Sequence, residues 1–198
     1  MARICASILA VAAALASTCA RAELLPEGAR SPVLTLYAAQ ISAERTWQKL
    51  LTEPGGRFVD AWLAACALAV PHSRHWNGAL QLEAEAQAVY NFGAQHHWEL
   101  NAVPVVARWQ RFPWSGRFTT SAALGLGLSW ASEEPEVEAA LEPRTHETLV
   151  YWLAELTAGP RDARWAASLR IHHRSTAFGL MGSDGGMNAL GIGVRYAF

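Results

Sequence analysis

The C-terminal stretch NALGIGVRYAF, residues 188–198, alternates between two kinds of side chain. One set is large and apolar: Leu190, Ile192, Val194, Tyr196 and Phe198. The other set is small or polar: Ala189, Gly191, Gly193, Arg195 and Ala197. Because successive side chains of a β-strand point to opposite faces, the segment predicts a strand with one apolar face and one face of mostly small residues. This pattern is typical of a narrow transmembrane barrel, with lipid outside and a packed lumen inside.

The rest of the chain contains seven more candidate strands, separated by turn-rich stretches such as TEPGG, RFPWSG and TAGPRD. In chain order, the eight strands are predicted at 31–41, 58–70, 77–90, 94–108, 118–131, 146–157, 163–175 and 188–198. The expected fold is all-β: a single eight-stranded antiparallel transmembrane β-barrel. Segment 41–52 is the least regular part, and it fits either a short helix or an extension of the first hairpin.

The composition agrees with a membrane barrel. Hydrophobic residues make up 52% of the chain and nine residues are tryptophan, yet beyond the N-terminus no segment reaches the ~18 consecutive apolar residues of a membrane helix. Barrel strands of about 9–11 residues cross a bilayer with alternating hydrophobicity, which reconciles the two observations. The formal net charge of -1, without a basic block, argues against a nucleic-acid partner.

The N-terminus has the pattern of a secretory signal peptide. Arg3 precedes an apolar run, and the small-residue stretch ARA follows at 20–22. We expect a signal peptide at 1–22, cleavage after Ala22, and a barrel domain at 23–198 in the Gram-negative outer membrane. This domain keeps only Cys66, so we expect no intrachain disulfide.

The predicted lumen is polar and charged. Acidic and amide side chains share one face of strands 77–90 and 94–108, and basic side chains share the inward face of the last two strands. Since isolated charges are costly in a low-dielectric interior, these groups are expected to pair. The predicted luminal network consists of Glu83, Glu85, His97, Glu99, Arg170, His172, Arg174 and Arg195. A metal site at His97 and Glu99 is not expected, because their spacing on a strand is unspecific.

The penultimate strand carries the candidate chemistry in the stretch HHRS, residues 172–175. Its outward row begins with Trp165, Ala167, Leu169 and Ile171. By parity, His173 and Ser175 continue that lipid-facing row. An imidazole and a hydroxyl two residues apart on one face can form the base and nucleophile pair of a serine hydrolase.

These residues resemble a known family. The pattern His173-Arg174-Ser175, followed by FGLMGSDGGMN and a final strand in a signal-bearing eight-stranded barrel, is similar to the outer-membrane lipid A 3-O-deacylases of the PagL type. The H-x-S motif of that family supplies a base and a nucleophile on the outside of the barrel. The resemblance implies these roles for His173 and Ser175.

Two positions depart from the family pattern. The family usually has asparagine directly after the serine, where this chain has Thr176, and a glutamate that orients the histidine, where ungapped placement gives Met187. Asn188 and Asp184 are the nearby polar substitutes. Asn188 is better placed, since antiparallel neighbours bring outward residues side by side.

The leading hypothesis is therefore a serine esterase, acting on an ester-linked acyl chain of lipid A in the outer membrane. Ser175 would attack, His173 would act as base and then acid, and Asn188 or Asp184 would orient His173, with no metal or organic cofactor. One alternative is a noncatalytic structural or adhesive barrel. Another is a soluble lipocalin-like carrier, although its inside should be apolar rather than acidic. The partner expected is lipopolysaccharide, and the sequence leaves a homodimer open.

Overall fold

A computed structural model describes residues 31–198 apart from Arg45, 54–55, 117, 142–144, 178–180 and 182–185. The predicted signal peptide at 1–22 and the alternative orienting residue Asp184 lie outside the described residues.

Eight antiparallel strands close into one barrel, in which each strand pairs with its sequence neighbours and the first pairs with the last. The strands are β1 (Val33–Ser42), β2 (Phe58–His75), β3 (Leu80–Gly93), β4 (His97–Trp109), β5 (Phe118–Ala131), β6 (Thr148–Pro160), β7 (Trp165–Ser175) and β8 (Gly186–Ala197). Two short helices, α1 (Trp47–Thr52) and α2 (Glu136–Leu141), lie in connections. The predicted all-β, eight-stranded antiparallel barrel is confirmed.

The last strand closes the barrel, as its alternation predicted. β8 pairs with β7 on one side and with β1 on the other, so Tyr196 lies opposite both Trp165 and Leu34. A closed sheet satisfies the backbone groups of every strand, which a lipid environment requires.

The largest boundary errors fall at the β2–β3 hairpin. β2 continues to His75 instead of ending at 70, and β3 begins at Leu80 instead of 77. Trp76, Asn77 and Gly78 all have positive φ, at 52°, 54° and 83°. This left-handed run forms the turn, whereas the predicted strand 77–90 included its Asn-Gly pair although that pair favours a hairpin turn.

Segment 41–52 combines both predicted alternatives. β1 extends to Ser42, and α1 then begins at Trp47. None of the helices in the described part of the chain has the length and apolar character needed to cross a membrane.

The outer wall is strongly apolar. On β5, Leu124, Leu126 and Leu128 are 66%, 60% and 52% exposed, and Ile192 on β8 is 73% exposed. A contiguous apolar surface of this kind is unusual for a protein in water but is expected where the bilayer covers it.

The barrel has two different ends. One, the loop end, carries the β1–β2, β3–β4, β5–β6 and β7–β8 connections, including α1 and α2. The other, the turn end, carries residues 76–79, 110–116 and 161–164 together with Ser31 and Phe198. The HHRS segment reaches the loop end, and this position determines what its side chains can contact.

Candidate functional site

β7 separates the four HHRS side chains onto two faces. His172 and Arg174 are fully buried in the lumen, whereas His173 and Ser175 are only half-buried and lie on the outer face at the loop end. His173 and Ser175 therefore lie at the edge of the apolar outer wall that is nearest the loop end.

Asn188 contacts the ring of His173 across the β7–β8 pair. Its Oδ1 lies 2.6 Å from Nδ1 of His173, and its Nδ2 donates to the backbone carbonyl of Glu44 at 2.8 Å. Because the amide donor is already used by Glu44, the facing Oδ1 is an acceptor and Nδ1 of His173 carries the hydrogen. Nε2 then has a free lone pair, as a general base requires.

The loop that follows β1 covers Asn188, which is only 2% exposed. Ser42 lies opposite Asn188 in the β1–β8 pairing, and its hydroxyl accepts from the amide of Glu44 at 3.1 Å. This turn presents the Glu44 carbonyl to Asn188. Glu44 is a residue that sequence analysis missed, since a backbone carbonyl in an irregular loop leaves no side-chain signal.

An aromatic pair packs beside the imidazole. The rings of Trp152 and His173 lie 4.7 Å apart at an interplanar angle of 38°, and Trp47 of α1 packs edge-on against Trp152 at 5.6 Å. The His173 ring therefore has a hydrogen bond at Nδ1 and an indole beside it, and both restrict its rotation.

Ser175 lies two residues beyond His173 on the same outer face of β7. Within the described residues, Ser175 Oγ accepts from the backbone amide of Ala177 at 3.4 Å, and no hydrogen bond joins it to His173. Thr176 is buried, at 6% exposure. The arrangement holds an oriented base and a serine hydroxyl that donates to no group among the described residues. A hydrogen bond between nucleophile and base often forms only when substrate is bound.

Gly186 allows β8 to begin directly against the serine. It pairs with Ser175 and has a φ of +142°. A Cβ at this position would collide with the carbonyl oxygen of Arg174 and lie 2.9 Å from Cα of Ser175. Only glycine permits this close approach, which brings Asn188 into register with His173.

Met187 turns into the lumen, where it is 2% exposed and packs in a cluster with Tyr37, Ile41 and Ala189. No side chain at position 187 therefore reaches His173. The polar contact to its ring comes from the next residue, Asn188.

The acidic and basic side chains predicted for the lumen lie inside the barrel, and most are in direct contact. Glu85 accepts two bonds from Arg170, at 2.8 and 3.1 Å, and Glu99 lies 3.0 Å from Nε2 of His172. Glu83 accepts from Arg195 at 2.7 Å. The resulting pairs join strands on opposite sides of the barrel and fill its interior with compensated charge.

His97 and Arg174 differ from the rest of this network. His97 is 3% exposed, and its Nε2 has no hydrogen-bond partner among the described residues. Arg174 donates to the carbonyls of His146 and Glu147 and lies 3.3 Å from Glu138 of α2. Arg174 thus connects β7 to the β5–β6 connection at the loop end.

Three charged members of the interior were missed from the sequence: Arg108, Glu138 and Glu155. Arg108 bonds to Glu83 at 3.0 Å and to Glu155 at 2.8 Å. A β-bulge between Ala102 and Val105, around Pro104, reverses the alternation of β4, so simple parity pointed Arg108 outward. Strict alternation placed Glu155 on the inward face of β6, but its neighbours on that strand are apolar, so it was not assigned to the charged network.

Glu138 lies on α2 and enters the barrel mouth. It also accepts a hydrogen bond from Thr145, and Val137 donates its amide to Gln95 at 3.2 Å. Burial raises the pKa of the Glu138 carboxyl, and Arg174 partly offsets this effect. A loop helix has no strand periodicity, which is why the sequence did not identify this residue.

His97 and Glu99 are the two luminal residues at which the sequence analysis considered a metal site and did not expect one. No group of three or more His, Cys, Asp or Glu side chains with metal-binding geometry occurs within the described residues. His97 and Glu99 are both buried, but the contact that Glu99 makes is with His172.

Comparison with known proteins supports the architecture. No protein-family model matches the chain, and neither does any curated protein. The chain is similar to the crystal structure of the outer membrane enzyme PagL, with a TM-score of 0.56 and 13% identity over 84% of this chain and 99% of that chain. It is also similar to Neisserial surface protein A (NspA), with a TM-score of 0.50 and 12% identity over 87% of this chain and all (100%) of that chain. These likenesses place the fold among outer-membrane barrels.

Proposed function

We propose that this protein is an outer-membrane serine esterase that hydrolyses an ester-linked acyl chain of a lipid, of the lipid A 3-O-deacylase type. The observation that carries the proposal is the 2.6 Å contact between His173 Nδ1 and Asn188 Oδ1, with Ser175 two residues further along the same outer face. A base with a fixed tautomer and a neighbouring hydroxyl are the minimum for nucleophilic acyl transfer.

The reaction follows from these positions. Ser175 Oγ attacks the ester carbonyl while Nε2 of His173 takes its proton, and the imidazolium then gives that proton to the departing alkoxide. Water, deprotonated by the same nitrogen, then attacks the acyl-enzyme carbonyl, and the imidazolium returns the proton to Ser175 Oγ as the fatty acid leaves. Asn188 holds Nδ1–H throughout, although an amide stabilises an imidazolium less than a carboxylate would.

The location supports a lipid substrate. The pair lies at the loop end, next to an outer wall that includes Leu169, 40% exposed on the same strand. Acyl chains of a membrane lipid would run along that wall, with the ester at the height of the polar boundary. In outer-membrane barrels the longer loops face the cell exterior, where lipid A resides in the outer leaflet.

A noncatalytic barrel is the second candidate, and one observation favours it. The Ser175 hydroxyl accepts from Ala177 N rather than contacting His173. A lipocalin-like carrier is disfavoured, because buried ion pairs such as Arg170 with Glu85 occupy the lumen that an apolar ligand would need.

Mass spectrometry of lipid A tests the proposal directly. Cells that produce the protein should yield lipid A lacking one ester-linked hydroxyacyl chain, compared with cells carrying the empty vector. A PagL-producing strain serves as the positive control. Unaltered lipid A, with the protein folded in the outer membrane and the control active, would refute the enzymatic proposal and leave the noncatalytic barrel.

A further inference from the structure

The turn end of the barrel, opposite the candidate esterase site, contains a separate cavity. It has a volume of about 550 Å³. Its opening lies among Ser31, Phe198 and the turns that join the strands at this end. Its wall consists of inward-facing residues from several strands, such as Val33, Gln81 and Ser121. This volume falls in the range of small-molecule sites.

Four arginines line this cavity: Arg74, Arg108, Arg164 and Arg195. Arg108 and Arg195 lie at its floor, where Glu83 bonds to both, at 3.0 and 2.7 Å. Glu155 adds a second carboxylate, 2.8 Å from Arg108. The positive charges of Arg108 and Arg195 are therefore balanced by the carboxylates of Glu83 and Glu155.

The two rim arginines are not compensated in this way. Arg74 donates Nε to the neutral amide of Gln81 at 3.0 Å, and in the described part of the chain neither Arg74 nor Arg164 forms a salt bridge. Four guanidinium groups thus meet two carboxylates, those of Glu83 and Glu155, so the described lining carries an excess of positive charge.

The direction of Arg74 argues against a role in lipid contact. A bulge between Pro71 and Ser73 reverses the alternation of β2, so that Arg74 pairs with the inward residue Gln81. Without this bulge, Arg74 would continue the outward row toward lipid headgroups. A positive charge at the rim of a cleft with low-dielectric walls raises the local concentration of anions in that cleft.

The neutral lining also suits an oxyanion. Thr119, Thr157 and Gln110 are among the polar residues that border the cavity. Guanidinium forks match the geometry of phosphate oxygens, and hydroxyls supply further donors to them.

From this cluster, we propose that the cavity at the turn end is a binding site for a small phosphorylated molecule, held by Arg74 and Arg164. In outer-membrane barrels the short turns face the periplasm, so the ligand would enter from that compartment. The site is independent of His173 and Ser175, which lie at the other end of the barrel.

Calorimetric titration of pyrophosphate into the purified protein, in detergent micelles and phosphate-free buffer, tests this proposal. We expect saturable binding at one site, weakened about tenfold by Arg74→Gln or Arg164→Gln, because each removes a charge-assisted hydrogen bond. Both side chains are exposed, so the barrel should still fold.

Arg161→Gln is the matched control, since Arg161 lies at the same end, donates to the Gly116 carbonyl and is outside the cavity lining. Its affinity for pyrophosphate should equal that of the unmodified protein. An absence of saturable binding, an equal loss with Arg161→Gln, or malonate binding as tight as pyrophosphate would each overturn the proposal.

Discussion

The Nδ1 atom of His173 lies 2.6 Å from the Oδ1 atom of Asn188, and the other end of the same amide is bonded to the carbonyl of Glu44. This chain of contacts connects three segments that are distant in sequence. We expect Asn188→Ala to lower ester hydrolysis by about 10²-fold or more, because the imidazole loses the acceptor that sets its tautomer. Lipid A deacylation in membranes measures this loss.

Asn188→Glu is the complementary change, since it introduces the carboxylate that the PagL-type pattern places one residue earlier. If the weaker amide acceptor limits the rate, this variant should deacylate faster than Asn188→Ala and at least as fast as the unmodified protein. Activity of Asn188→Ala equal to that of the unmodified protein would exclude Asn188 from the mechanism.

Ser175→Ala should abolish deacylation, with a loss of at least about 10³-fold, because no other group replaces the attacking oxygen. Its effect on assembly should be small, since among the described residues the hydroxyl forms only a 3.4 Å hydrogen bond with Ala177 N. Heat-modifiable gel mobility reports assembly. Ser73→Ala, near the opposite end, is the control, and residual activity of Ser175→Ala at the level of that control would rule out Ser175 as nucleophile.

Trp152→Leu should reduce activity by about five- to tenfold while leaving the barrel folded. The indole lies 4.7 Å from the His173 ring, and leucine would remove that planar contact without adding charge. Trp109→Leu is the matched control, because Trp109 packs against Trp76 at the turn end, away from His173. An equal effect from both substitutions would indicate a general role in membrane insertion.

Arg170→Met should destabilise the barrel by about 3–5 kcal/mol, because it leaves Glu85 and Glu155 buried beside an apolar side chain. Arg170 is 0% exposed and contacts both carboxylates, at 2.8 and 2.7 Å. Urea titration of the protein in detergent, followed by tryptophan fluorescence, measures the free energy of unfolding. Arg161→Met should change it little, and an equally stable Arg170→Met variant would show that the network contributes nothing.

Glu138 should make the loop end more stable as the pH falls. Burial raises the pKa of its carboxyl above the ordinary value of 4.5, so ionised Glu138 costs free energy in the folded state. As the pH falls from the raised pKa toward 4.5, protonation of Glu138 in the folded state removes this cost. A plot of melting temperature against pH should therefore show a stabilising contribution in this acidic range.

Glu138→Gln should lose that part of the pH dependence, although Arg174 then loses a charged partner. Glu136→Gln is the control, because Glu136 is exposed on the same helix. The prediction fails if the difference in melting temperature between the unmodified protein and Glu138→Gln is the same at pH 7 and at pH 5.

Much of the barrel could be predicted because its signal is local. The period of two in residues 188–198 places Ile192 and Val194 on one face and Gly191 and Gly193 on the other, whatever the rest of the chain does. Turn residues then separate the strands, and the number of strands follows. The same parity explains why His173 and Ser175 were predicted on the outer face.

Other features depended on departures from that period. Bulges between Pro71 and Ser73 and between Ala102 and Val105 insert extra residues, and each reverses the alternation of the residues beyond it. Arg74 and Arg108 point inward for this reason, whereas strict alternation along each strand would place both side chains on the outer face.

The alternation, and with it the strand faces, the apolar wall and the His-x-Ser spacing on β7, follows from the local order of residues. Which groups meet depends on the folded chain: the Glu44 carbonyl at Asn188, Trp152 at His173, and Glu138 at Arg174. Side-chain direction along a strand is set by neighbouring backbone geometry. Contacts between distant segments depend instead on strand register and barrel closure, which arise only when the whole chain is folded.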